Sequence, residues 1–194
     1  MFIVSSIKFS LFYLLLCIAY LLFNQINVII SNDMVISFCG HREFTPDAEK
    51  EKTIIDILLK YSEIDKEVIC YTGGYGAFDW FAAACIRKAQ AMAKNIRNCL
   101  IIPYITASYL DRIKIHIEEF DEIIYPPLES VPPRLAIIRR NEWMIDNSDL
   151  LIAYVKYSWG GAARTLEYAK RRRMEIIYID VECTKECIKK EIKE

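Results

Sequence analysis

Net charge is almost absent. Twenty-five Lys and Arg stand against 26 Asp and Glu, a formal charge of -1 over 194 residues. A general nucleic-acid binder draws its affinity from many basic residues left unbalanced by acids, so that class loses support and no nucleic-acid partner is expected. Histidine is limited to His41 and His116, and Cys183 and Cys187, one helical turn apart, have no second pair with His support, so neither a metal site nor a cofactor is expected. Internal repeats and low-complexity stretches are missing. The seven cysteines are an odd number, which would leave one unpaired in a disulfide framework. Several sit in apolar contexts where Cys acts as a small hydrophobe. A reducing compartment, hence the cytosol, follows.

What is present is a large apolar fraction, 54%, enough to bury one good core. Part of it is concentrated at the amino terminus, where "FSLFYLLLCIAYLLF" and "NQINVII" run without charge through residues 9–30. A membrane span needs roughly 20 apolar residues, so residues 1–33 are a candidate anchor or a mis-assigned start before Met34. The globular domain is expected at 34–194.

From Met34 the chain alternates between two periodicities. "VISFC", "EVICY", "CLIIPY", "DEIIY", "LLIAYV" and "EIIYID" are short runs suited to buried strands. Between them lie "PDAEKEKTIIDILLKY", "FDWFAAACIRKAQAMA", "SYLDRIKIHIEEF", "RLAIIRRNEWMIDN" and "AARTLEYAKRRR", all of helical character. The alternation predicts an α/β fold, a Rossmann-like three-layer sandwich with a mainly parallel sheet of about six strands. "YPPLESVPPR", residues 125–134, holds four prolines and reads as an extended loop, a candidate flap beside the site. "KRRR", Lys170 to Arg173, reads as cations at a helix end.

In such folds ligands meet the carboxyl ends of the strands, where helix amino termini attract anions. Three glycine-bearing loops fall there: Gly40, His41 and Arg42 after strand one; Thr72, Gly73, Gly74, Gly76 and Asp79 after strand two; and "KYSWGGAARTLE", with Gly160 and Gly161, after strand five. Bare backbone lets N–H groups approach a phosphate, and Asp79, one turn into its helix, can accept from a ribose hydroxyl. His41 beside Arg42 suits phosphate binding or proton transfer. Trp159, inside the third loop, is the best candidate to stack on a base, whereas Trp80 and Trp143 read as packing. Neither the dinucleotide fingerprint nor the phosphate-loop motif occurs, so hydride transfer with NAD and ordinary ATP hydrolysis lose support.

"CGHRE", "TGGYGAFDWFAA", "RRNEWMIDNSDLLIAY" and "WGGAARTLEYAKRR", in this order over residues 34–180, resemble the SLOG superfamily, and within it the YpsA-like group. The resemblance implies a Rossmann-like sheet that binds a nucleotide or nucleotide-derived ligand as a sensor or binding module, and a homodimer. It adds Ser148, Asp149 and Thr165 to the ligand-binding set. Lonely Guy phosphoribohydrolases of the same superfamily release a base from a nucleotide, using an Arg near a Met-x-x-x-Ser-Asp segment and a Glu seven residues after the first glycine of a Gly-Gly loop. The matching residues are Arg140 and Glu167, so an N-glycosidase is the alternative. In a glycosidic cleavage Glu167 would stabilise the cationic sugar or activate water, while Arg140 held the phosphate or sugar in register. The bland reading of Glu167 is an exposed residue paired within its helix. The loop departs from the phosphoribohydrolase pattern: no proline precedes it, Ala163 replaces a glycine, and Arg164 replaces a Thr.

Overall fold

The structure, a computed structural model, describes residues 33–179. The candidate anchor, the Cys183–Cys187 pair and the charged tail lie outside these. Among the described residues no helix is long and apolar enough to cross a membrane, and no cluster of His, Cys, Asp or Glu could hold a metal.

The chain runs β1 (Met34–Gly40), α1 (Ala48–Ile64), β2 (Val68–Thr72), α2 (Ala77–Met92), β3 (Ile96–Ile101), α3 (Ala107–Ile113) continued by a 3-10 turn (Lys114–Glu119), β4 (Glu122–Ile124), α4 (Pro133–Asp146), β5 (Leu150–Tyr154), α5 (Gly160–Arg171) and β6 (Glu175–Tyr178). Local chemistry sets several of these bounds. Asp47 caps α1 by accepting from the Lys50 N–H at 2.8 Å, and Pro133 opens α4, where a missing N–H costs nothing.

All six strands are parallel in the order β4-β3-β2-β1-β5-β6. The first four step in one direction from β1. Next, α4 carries the chain back over the sheet to place β5 against the other side of β1, with Ile36 opposite Leu150 and Gly40 opposite Tyr154. The direction of winding therefore reverses between β1 and β5, and a crevice opens outside their carboxyl ends.

Alternate strand residues feed two apolar layers. Ile36, Phe38, Val68, Cys70 and Ile152 pack with α1 and α2, and Leu100 with α3. On the other face Cys39, Leu151 and Ala153 meet α5, and Cys99 and Ile101 meet Met144 of α4. Strands buried on both faces are what parallel sheets require.

Two sequence expectations shift. The third strand begins at Ile96, not Cys99, because polar Asn98 is tied into the sheet edge. Its N–H donates to Asp121 at 2.7 Å and its amide to the Glu119 carbonyl at 3.0 Å. The proline-rich segment 125–134 is not a flap beside the site. Leu128 is buried, Tyr125 packs on the α3 cluster, and none of these ten residues lines the cavity described next.

Candidate functional site

A cavity of about 400 Å3 occupies the crevice at the reversal point. Its walls come from the end of β1 and the residues after it (Gly40, His41, Arg42), the turn before α2 (Gly73, Tyr75, Gly76) with Asp79 of the helix itself, one face of α4 (Ile137, Arg140, Asn141, Met144) and the amino end of α5 with its preceding loop (Tyr157, Trp159, Gly160, Gly161, Thr165).

Arg140 is a buried cation of the site, 2% exposed. One Nη1 donates to the carbonyls of Gly73 and Ile101, each at 2.6 Å, so a residue of α4 ties the ends of β2 and β3 together. Its Nε has no hydrogen-bond partner among the described residues. Burial lowers its pKa, and the charge of Asp79 pulls it back up. Asp79, in the first turn of α2, accepts from the Tyr75 N–H at 2.9 Å. Burial raises its pKa, opposed by N–H donation from Tyr75 and Gly76 and by the Arg140 charge. A Cβ on Gly73 would lie 2.7 Å from Nη1 of Arg140 and 2.9 Å from Oδ2 of Asp79, so glycine is what lets this pair close under the loop.

The amino end of α5 has the opposite character. Trp159 supplies the cap position without a side-chain bond, and no acid occupies the first turn, which leaves N–H groups and the positive end of the helix dipole uncompensated. Gly160 (φ +91) and Gly161 have nothing within 4 Å of where a Cβ would stand. Thr165 fixes the wall behind them: its hydroxyl donates to the Gly161 carbonyl at 3.0 Å and accepts from the Asn141 amide at 3.0 Å.

The rim is aromatic. Trp159, 72% exposed, stacks on Tyr157 with ring centroids 5.4 Å apart and planes at 18°, and the His41 ring lies tilted against Tyr157 at 4.9 Å. The Nε2 of His41 accepts from the Tyr157 N–H at 3.0 Å. That contact requires the neutral ring with its proton on Nδ1, and burial lowers the pKa in agreement. Cys39 is the buried thiol of the floor, donating to the Ala162 carbonyl at 3.4 Å, and burial pushes it up to about 12.

The structure thus brings together Gly40, His41, Arg42, Gly73, Gly76, Asp79, Arg140, Trp159, Gly160, Gly161 and Thr165. It does not bring in the other five. Thr72 is fully buried and Gly74 packs on Leu100. Ser148 and Asp149 fasten the amino ends of the strands, through Ser37 Oγ at 2.6 Å and the Val35 N–H at 2.9 Å. Glu167, with a side chain 61% exposed, faces out of α5 beside Lys170 at 3.5 Å and lines no part of the cavity. Trp80 packs on Phe120 and Trp143 on Tyr71, as packing residues. Sequence reasoning missed Tyr75, Tyr157 and Asn141. The last was within reach, since Ile137, Arg140, Asn141 and Met144 share one face at helical spacing.

No protein-family model and no curated protein matches the sequence. Solved structures do share its fold. DNA processing protein A from Streptococcus pneumoniae is similar with a TM-score of 0.52 and 12% identity over 75% of this chain; the chain spans half of that protein's length, 50%. The Helicobacter pylori protein of the same name, described for its mode of binding single-stranded DNA, is similar with a TM-score of 0.54 and 14% identity, over 81% of this chain and 73% of its own. By fold the chain stands with these Rossmann-like proteins, and the expectation drawn from the SLOG resemblance is borne out at that level.

Proposed function

We propose that the cavity binds a nucleotide or nucleotide-derived ligand and that the protein acts as a sensor or binding module. One observation carries the reading: the amino terminus of α5, without a side-chain cap and with two open glycines, stands beside the exposed Trp159–Tyr157 stack on a cavity that also holds buried Arg140 and the Asp79 carboxylate. Backbone N–H groups at α5 suit a phosphate. The Trp159–Tyr157 stack suits the face of a base, and Asp79 suits a sugar hydroxyl. Arg140, with Nη1 already committed to two carbonyls, organises the floor and supplies charge to it.

Base release is the weaker reading, because the Glu167 side chain is exposed beside Lys170 and does not line the cavity. Single-stranded DNA, which the Helicobacter pylori protein is described as binding, is a competitor in the test. Full-length protein is incubated with nucleoside monophosphates and, separately, with an unstructured oligonucleotide, and both solution and retained fraction are read by mass spectrometry. One intact nucleotide retained supports the module. Free base growing with time, or retention of the oligonucleotide alone, overturns it.

A further inference from the structure

The main cavity does not end at α5. A second hollow of about 360 Å3 lies between the outer faces of α4 and α5, and Ile137, Asn141, Gly160, Gly161 and Thr165 line both. The shared wall is the one that carries the open glycines. Beyond it the groove has Ile138 on one side, and Arg164 and Tyr168 on the other.

Helical spacing places Gly161, Arg164, Thr165 and Tyr168 along one stripe of α5, with Arg164 roughly 4.5 Å further along the axis than Gly161. Arg164 has no ion-pair partner among the described residues, while Glu142, the acid of the groove, is engaged by Arg139 at 2.6 Å. A cation in the second turn, behind an amino terminus that has no acid in its first turn, adds to the positive field there instead of relieving it. The Tyr168 hydroxyl is bound to the Asp146 carboxylate at 2.9 Å, which leaves its ring as groove wall. Asn141, held by Thr165, lines both hollows.

From this continuity we infer that the ligand has two arms joined at the amino end of α5. The nucleoside arm lies in the main cavity with its phosphate on the α5 N–H groups; a second phosphate reaches Arg164 and carries a neutral group, such as a sugar, into the groove against Ile138 and Tyr168. The ligand class is a nucleoside diphosphate ester. The inference rests on the nucleotide reading above and narrows it.

Calorimetric titration of the full-length chain tests both together and separates them. AMP, GMP, CMP and UMP are compared with ADP-ribose, GDP-mannose, CDP-glucose and UDP-glucose, on the native protein and on Arg164→Ala, an exposed substitution that leaves the core untouched. One diphosphate ester is expected to bind at least about tenfold more tightly than its own monophosphate. Arg164→Ala should remove most of that advantage, weakening the ester at least about fivefold more than its own monophosphate. A monophosphate that binds as tightly as its ester, or an ester advantage that survives Arg164→Ala, overturns the second arm and leaves the nucleotide reading standing. No binding by any of the eight overturns the reading itself.

Discussion

Gly73 and Gly161 are both glycines of a Gly-Gly pair, yet their surroundings assign them opposite duties. A methyl on Gly73 collides with the Arg140 guanidinium and the Asp79 carboxylate, so Gly73→Ala should lower stability by about 1–3 kcal/mol, as overpacking does. A methyl on Gly161 meets empty space. Gly161→Ala should leave stability unchanged or raise it by up to about 1 kcal/mol while it weakens ligand binding; chemical denaturation of the two variants side by side distinguishes a structural glycine from a binding one. Arg140 carries more. Truncation to Ala strands two carbonyls and leaves Asp79 without the nearby cation, a loss on the order of 3–5 kcal/mol. Glu167→Gln should change neither stability nor binding, because its side chain is exposed, paired with Lys170 on the surface, and lines no part of the cavity. Cys39, raised to about 12, should stay unmodified when native protein is treated with iodoacetamide at pH 8 and the labelled positions are mapped.

At the scale of elements, α5 is built differently at its two ends. Its amino end is left open toward the cavity. Its carboxyl end is closed by a Schellman pair, with the Met174 N–H donating to the Ala169 carbonyl at 3.1 Å and the Arg173 N–H to the Lys170 carbonyl at 2.9 Å. Arg173 takes φ 56 there, the left-handed position that glycine usually fills. Arg173→Gly should therefore raise stability by about 0.5–1 kcal/mol, read from a shifted denaturation midpoint with an unchanged slope. The loop before α5 is tied to β1 through His41. Burial lowers the His41 pKa and Lys156 acts in the same direction, while Glu43 opposes them. A lowered pKa means that the folded state binds the proton less readily, so the bond to Tyr157 contributes fully above the ordinary value of 6.5 and is lost as pH falls through the lower folded value. Melting temperature should decline with acid across that window, and His41→Asn should flatten the decline.

For the whole molecule, strand and helix order were legible because each element buries a recognisable apolar face, and the loops after β1, β2 and β5 could be located by their glycines. Register at the margins was not: Arg97 and Asn98 hide the start of β3, since a polar residue inside a strand is readable only once its partners in the fold are known. The same limit governed the site. Glu167 was placed by motif spacing, which fixes position along a helix and not the direction in which the side chain points. Ser148 and Asp149 lie near Arg140 in sequence but serve the amino ends of β1 and β5. Tyr157 and Asn141 acquire meaning only from the reversal of winding that sets α4 and α5 over the end of β1.

The central claim is that the α5 amino terminus binds a nucleotide phosphate. The most direct test is calorimetric titration of full-length native protein and of Gly161→Ala with the nucleotide that the protein retains, alongside denaturation of both. The account predicts saturable binding to the native chain, weakened at least about tenfold in the variant, with stability unchanged or raised. Equal affinity in the two proteins would contradict it, and would place the ligand away from α5.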